Sequence, residues 1–150
     1  MLIRDIMTTN VVSIPSTMSL AEARRKINAC QIKHLPVVDK EKLVGIVTRR
    51  TLDKAGPSAL TTFSKQELNY LLNRLTVKEV MSKDLVTISP DATVEEAVAL
   101  ARLNKTRSFL VIDNNQLIGI VTDSDFFYKV LNPMLGINEL NTRVLVQSGV

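Results

Sequence analysis

The chain is 150 residues long, 45% hydrophobic, 23% charged and 4% aromatic, with a formal net charge of +4 and a pI near 9.4. That length fits one domain built from two halves; no apolar run is long enough to span a membrane, and the opening Met1-Leu2-Ile3-Arg4-Asp5 lacks a signal-peptide pattern. The basic residues are scattered, clustering only as Arg24-Arg25-Lys26 and Arg49-Arg50 with no aromatic stacking platform, so the charge describes a solvated surface better than a nucleic-acid footprint.

In chain order, Val11-Val12-Ser13-Ile14 is a β-branched run that stops at Pro15 and predicts a first short strand. Ser19-x-x-Glu22 reads as a capping box opening a helix, on which Leu20, Ala23 and Ile27 recur at helical spacing. Two apolar runs, 35–38 and 43–48, are separated by the polar turn from Asp39 to Lys42, and a further helix is expected from Arg49. Gly56-Pro57-Ser58 then breaks the chain. Ser64-x-x-Glu67 caps another helix, with Leu68, Leu71, Leu72 and Leu75 on one stripe that must pack on the repeats or on a second subunit.

The series then starts again. Leu85-Val86-Thr87-Ile88 is a second β-branched run before Pro90, Thr93-x-x-Glu96 caps a helix carrying Val94, Ala97 and Ala101, and apolar runs 109–112 and 117–122 flank a turn from Asp113 to Gln116. A helix follows from Asp123, and the tail from Asn132 ends in a strand-like run, Thr142-Arg143-Val144-Leu145-Val146. Placing residues 3–52 over 77–126 gives 12 identities without a gap, seven of them between Val37 and Thr48. This is internal duplication at a spacing of 74 residues, one β-α-β-β-α unit made twice. At roughly 50 residues one such unit is too small to bury a stable core alone, so the copies are expected to pack together.

Asp5-Ile6-Met7 and Glu79-Val80-Met81 at the openings, Pro36-Val37-Val38-Asp39, and Gly-Ile-Val-Thr at Gly45 and Gly119 complete a pattern. It resembles a tandem pair of CBS (cystathionine-β-synthase) domains, a Bateman module. The resemblance covers residues 1–131 and implies an α/β fold with the repeats packed as a pseudo-twofold pair. Residues 1–56 would form CBS repeat 1, 57–76 an inter-repeat helical segment, and 77–131 CBS repeat 2. Residues 132–150 would be a C-terminal tail; its opening also resembles CBS proteins of the acetoin-utilisation type that continue into an ACT domain, with 142–146 as a first strand of that truncated domain.

CBS pairs are regulatory modules that commonly bind adenine nucleotides in clefts between the repeats. In the family a Gly-h-x-Thr/Ser-x-x-Asp segment (h apolar) closes around ribose and phosphate. The chemistry fits here: Gly119 permits close approach, Thr122 places a hydroxyl at a strand end, and Asp125 offers an acceptor-only carboxylate for vicinal ribose hydroxyls. Asp123 stands between them at the helix start. Matching positions add Thr87 for the base pocket, Arg107 for phosphate, and the backbone from Ser108 to Leu110 for the adenine edge, although Leu110 stands where proline is usual. The first copy supplies a weaker second site from Ser13, Lys33, His34, Pro36, Thr48, Arg49 and Arg50, because Thr51 replaces the aspartate.

Plainer roles compete at several of these positions. Thr122-x-x-Asp125 is also a helix cap, Arg107 a surface charge, His34 a pocket-lining residue, and Met7 and Met81 core or interface filler. A lone cysteine, Cys30, forms no internal disulfide and fits a reducing cytoplasm. Neither metal-ligand spacing nor a P-loop nor a dinucleotide fingerprint occurs, so no enzyme, cofactor or metal is expected. The expectation is a cytoplasmic, homodimeric sensor of AMP, ADP or ATP that signals to an effector protein or fused domain. Its rivals are a structural dimerisation module, S-adenosylmethionine binding, and nucleic-acid binding prompted by the basic pI.

Overall fold

Residues 1–54 and 64–136 are described by a computed structural model. Their helices begin where the sequence places hydroxyl caps. Ser19 accepts the Glu22 amide at 3.2 Å before α2 (Leu20–Ala29), and Ser64 accepts the Glu67 amide at 3.1 Å before α4 (Lys65–Arg74). Thr93 makes both halves of the capping box with Glu96 ahead of α6 (Val94–Asn104), at 3.1 and 2.9 Å. Two one-turn helices open the copies and escaped the sequence reading: α1 (Ile3–Ile6) and α5 (Val77–Val80).

The apolar runs form hairpins. β1 (His34–Asp39) and β2 (Lys42–Thr48) pair antiparallel, from His34 opposite Thr48 to Asp39 opposite Lys42. β4 (Ser108–Asp113) and β5 (Gln116–Thr122) are neighbours in a second sheet, with β3 (Thr87–Ile88) parallel to β4 on its other side. Both two-residue turns have positive φ throughout, at Lys40 and Glu41 and again at Asn114 and Asn115. This is the geometry whose twist matches antiparallel strands.

The strand expected at 11–14 shrinks to one parallel bridge, Ile14 to Val37, whereas its counterpart forms the two-residue β3. Pro36 stands where Leu110 donates its N–H to Val86 at 3.0 Å and has no N–H to give, so pairing does not extend back to Val12. After β2 comes α3 (Arg49–Lys54), and after β5 comes α7 (Asp123–Asp125). The latter runs on through a π-helical stretch, Phe126–Leu131, into α8 (Asn132–Met134). The strand expected at 142–146 lies outside the described residues, as does the Gly56-Pro57-Ser58 break.

The chain divides into two units that do not coincide with the sequence copies. The Thr122 unit joins Met1–Asn10 to Val86–Asp113 and to the described residues from 118 on; the Thr48 unit joins residues 11–85, as far as described, with Asn114–Leu117. Each opening segment therefore folds on the core of the other copy. In the Thr122 unit Ile3 N–H donates to Ala92 at 2.8 Å, Arg4 N–H to Pro90 at 3.0 Å, and Thr8 exchanges both backbone bonds with Ile120. In the Thr48 unit Val77 donates to Met18 at 2.8 Å, Lys78 to Ser16 at 3.0 Å, and Ser82 exchanges both with Ile46. Every one of these bonds matches its twin at the repeat spacing.

Burial drives the exchange. Ile3 and Ile6 are enclosed in the Thr122 unit with Ile88, Ala97, Phe109 and Val121, and Val77 is enclosed in the Thr48 unit with Ile14, Leu20, Ile27 and Val47. Each fully buried aliphatic side chain is worth about 1.5–3 kcal/mol over exposure. The leucine stripe of α4 contributes Leu68 and Leu72 to the Thr48 core, with α4 packed on α2, so its partner is its own unit.

The glycines of the repeat motif are explained by the same exchange. A Cβ at Gly119 would lie 2.7 Å from Met7 Sδ and 3.2 Å from the Thr8 carbonyl; at Gly45 it would lie 2.5 Å from Met81 Sδ and 3.1 Å from the Ser82 carbonyl. Gly119→Ala is expected to cost about 1–3 kcal/mol by overpacking, measured by urea unfolding. Adding Met7→Ala to it should cost less than the sum of the two single changes, because the methionine is what the new methyl strikes.

One polar pin belongs to the Thr48 unit alone. Buried Ser16 donates its N–H to Asp39 at 2.9 Å and its hydroxyl to the other carboxylate oxygen at 2.5 Å. The Ser16 hydroxyl, then its amide, hold the Asp39 carboxyl below its ordinary value, with Lys78 adding a smaller pull. The corresponding pair in the other copy is Pro90 and Asp113, which lacks both donors. A lowered folded-state value gives stability that is complete above the unfolded carboxyl value near 4 and is lost as pH falls below it. Ser16→Ala should therefore flatten the acid limb of unfolding free energy against pH; an unchanged limb would remove Asp39 from acid unfolding.

Candidate functional site

Asp125 is the best-enclosed charged side chain at the motif ends, 8% exposed at the junction of α7 and the π-helical stretch. β5 delivers Thr122 to the strand end, and the chain turns at once into helix. Asp125 therefore reaches back over its own entry, accepting the Thr122 N–H at 2.9 Å with the Thr122 hydroxyl 3.5 Å from the same oxygen. The second oxygen accepts from the Thr8 hydroxyl at 3.3 Å and pairs with Lys129 Nζ at 2.9 Å. Lys129 is held in turn by the Ile6 carbonyl at 2.8 Å.

This is a satisfied buried carboxylate. Lys129 is itself exposed, so the ion pair is screened on that side and contributes about 0.2–1 kcal/mol. The two threonine hydroxyls differ from the fixed backbone donors: each can rotate to offer either a proton or a lone pair. The site can therefore present one charge and two adaptable hydroxyls to a polyol without moving backbone.

The other expected positions fall around the same strand ends. Asp123 is exposed, its N–H donating to the Arg107 carbonyl at 3.1 Å and its carboxylate accepting the Ser124 N–H at 3.0 Å. Arg107 and Ser108 thus lie beside the start of the helix. The Ser108 amide donates to the Thr106 hydroxyl at 3.3 Å, and that hydroxyl donates to the Ser108 carbonyl at 2.9 Å. The Leu110 N–H is committed to Val86 at 3.0 Å, and the residue is buried. Exposed Thr87 stands opposite Leu110 across the β3–β4 pairing, two residues further along β4 than Ser108.

In the Thr48 unit the same junction has different chemistry. The Thr48 hydroxyl accepts the Thr51 N–H at 3.2 Å and lies 3.1 Å from the Thr51 hydroxyl, a plain helix cap in place of the carboxylate. Arg49 N–H donates to the Lys33 carbonyl at 2.9 Å, mirroring Asp123 and Arg107. Its Nη2 lies 3.5 Å from the Ile32 carbonyl, and its Nε is enclosed with no hydrogen-bond partner. Half-buried His34 faces Thr48 across the hairpin, and Lys33 and Arg50 are exposed. Buried Pro36 accepts the Ile14 N–H at 3.0 Å, and exposed Ser13 precedes that bridge.

Thr8 and Lys129 were not among the residues singled out from the sequence, yet both touch Asp125. Lys129 was readable as an i,i+4 partner of Asp125. Thr8 was not, because 117 residues separate it from the carboxylate. Among the described residues no group of His, Cys, Asp and Glu side chains is placed to hold a metal, and no helix is long and apolar enough to cross a membrane.

The CBS domain family model matches residues 3–57 and again 77–132. An inosine-5'-monophosphate dehydrogenase of Korarchaeum cryptofilum is 35% identical over 125 residues, which are 83% of this chain and 23% of that enzyme. The chain thus spans about a quarter of that relative's length. Among solved structures, the AcuB protein of Vibrio cholerae aligns with a TM-score of 0.72 at 30% identity, covering 89% of this chain and 93% of that one. The CBS domain pair of protein MJ0100, solved with 5-methylthioadenosine and S-adenosyl-L-methionine, aligns at 0.68 and 28% identity, covering 85% and 97%. CBSX2 in complex with AMP aligns at 0.72 and 25% identity, covering 87% and 97%. Two family matches on a mixed α/β fold, one for each copy of the repeat, make this chain a member of the CBS domain family carrying a tandem CBS pair.

Proposed function

We propose that this CBS pair is a regulatory sensor of an adenine nucleotide (AMP, ADP or ATP) or a related adenosine compound, bound at the Thr122 unit. The observation that carries the reading is the Asp125 carboxylate, enclosed at a strand end between the Thr8 and Thr122 hydroxyls. Vicinal ribose hydroxyls are donors, and an ionised carboxylate can accept both. Asp125 accepts the diol, Thr8 and Thr122 turn their hydroxyls toward it, and Arg107 serves a phosphate. Thr87, exposed on β3 opposite Leu110, would line the base. The structural neighbours solved with AMP, and with 5-methylthioadenosine and S-adenosyl-L-methionine, support an adenosine compound as the ligand class.

Ligand binding also addresses Lys129. A ribose hydroxyl at the Asp125 oxygen facing Lys129 competes with its ammonium, which sits on the π-helical stretch before α8. A ligand shifts a conformational equilibrium only by its differential affinity for the states, and the exchange of Lys129 for ribose supplies such a difference. An effector protein or a fused domain, in the cytoplasm, would read the change, and a homodimer would cover the exposed Phe127, Leu131 and Leu135 on that helix.

One observation favours a second reading, a structural dimerisation module: Asp125 is already fully partnered inside its own unit. Thermal-shift and calorimetric titration of the chain with AMP, ATP and S-adenosylmethionine separates the two. Ligand at about 100 times its dissociation constant should add about 2.7 kcal/mol of stability. Asp125→Ala should weaken binding by about tenfold or more, as for the loss of a charge-assisted hydrogen bond, and Asp125→Asn keeps the shape should the alanine variant unfold. No response to any of the three compounds leaves the structural module as the answer.

A further inference from the structure

Met7 and Met81 hold equivalent places in the two units, and neither is sealed from water. Both residues are half-buried, each packed against the core of its unit. A Cβ at the facing glycine would fall 2.7 Å from Met7 Sδ at Gly119 and 2.5 Å from Met81 Sδ at Gly45. The two Cγ atoms would lie 3.1 and 2.9 Å from the same positions. The other methionines are placed differently: Met1 and Met134 are exposed, and Met18 is half-buried against the Thr48 core.

The backbone beside each methionine has its donors committed. Met7 N–H donates to Ile3 at 2.9 Å, Thr8 N–H to Ile120 at 2.9 Å, and Ile120 N–H to Thr8 at 3.0 Å. Met81 N–H likewise donates to Val77 at 2.8 Å, Ser82 N–H to Ile46 at 2.9 Å, and Ile46 N–H to Ser82 at 3.0 Å. A thioether, soft and apolar, makes no demand on them. Its sulfoxide carries a polar acceptor oxygen on the sulfur. What that oxygen meets at the glycine is another acceptor, because the Thr8 and Ser82 carbonyl oxygens lie 3.2 and 3.1 Å from the same Cβ positions. It must stay unpaired, which is unfavourable, or turn to water and lift the sulfur off the glycine. Either way the contact loosens.

We propose that Met7 and Met81 are paired oxidation sites through which a hydroperoxide reversibly loosens both units. A sulfur lone pair attacks one oxygen of the peroxide, and the O–O bond breaks as the S–O bond forms. Sulfur gives up two electrons and the peroxide is reduced. The proton left on the transferred oxygen passes to the departing hydroxide, yielding sulfoxide and water. Methionine sulfoxide reductase returns the thioether. The effect reaches beyond packing in the Thr122 unit: Thr8, the next residue after Met7, gives its hydroxyl to Asp125, so sulfoxide at position 7 also draws Thr8 away from that carboxylate.

Hydrogen peroxide treatment of the folded chain tests this, in a Cys30→Ser background that removes the exposed thiol. Exposed Met1 and Met134 serve as internal references. Peptide mass mapping should find Met7 and Met81 converted within about tenfold of the rate of those two residues. The urea midpoint should fall by about 0.5 M or more, the scale of one misfitted contact in a chain of this size, and should recover with methionine sulfoxide reductase. Met7→Leu combined with Met81→Leu, a volume-conserving pair of changes, should keep its midpoint through the same treatment. Should that double variant fail to fold, brief proteolysis of the partly oxidised chain near its midpoint gives the answer: the cleaved fraction should be enriched in sulfoxide at positions 7 and 81, and no enrichment overturns the proposal. It is overturned equally if Met7 and Met81 stay reduced while Met1 and Met134 are consumed, or if their conversion leaves the midpoint unmoved. A double leucine variant that loses as much stability on oxidation moves the effect to Met18 and overturns it too.

Discussion

A methionine lying over a glycine organises each unit of this molecule. Met7 sits on Gly119 and Met81 on Gly45, and the backbone just beyond each methionine, at Thr8 and Ser82, pairs with the strand residue after each glycine. Only a residue without Cβ lets the two segments come so close. The contact cannot form inside one sequence copy, because the methionine that opens a copy folds on the glycine of the other. Both units therefore need both ends of the duplicated sequence. Cutting the chain between the copies would leave Ile3 and Ile6 without their core, and likewise Val77.

The same stitch places the polar residues. Thr8 reaches Asp125 because Thr8 and Ile120 are paired, and Lys129 reaches the Ile6 carbonyl because α1 lies alongside the π-helical stretch. The carboxylate is therefore assembled from three pieces of chain: the strand end, the helix that follows it and the opening segment. In the Thr48 unit the equivalent piece brings Ser82, but position 51 offers a hydroxyl, and Thr48 and Thr51 satisfy each other. Duplication kept the scaffold and let the side chains diverge. Ser16 with Asp39 in one unit, against Pro90 and Asp113 in the other, shows the same divergence at a purely structural position.

Much of this was legible beforehand. Hydroxyl caps at Ser19, Ser64 and Thr93 predicted three helix starts, because capping is a local bond between residues three apart. The hairpins followed from apolar runs around short polar turns. The first strand was overread, since β-branched residues favour extended backbone whether or not a neighbour pairs with them. The one-turn helices at Ile3 and Val77 were missed because four residues carry too little periodicity to register. The leucine stripe of α4 was seen as apolar, but its partner, α2, could not be named from spacing alone.

By itself the sequence determined the duplication, the capped helices and the paired apolar runs, the family pattern and the charge difference between Arg49 and Asp123, for these are properties of residue identity and spacing. Tertiary structure alone decided which copy each opening segment joins, and with it the neighbours of Asp125. An aspartate three residues after a threonine is a helix cap in any context. It becomes an enclosed carboxylate between two hydroxyls and an ammonium only when a segment 117 residues away folds back beside it. Contacts over that separation arise from burial and backbone pairing in the folded chain, which no local pattern encodes.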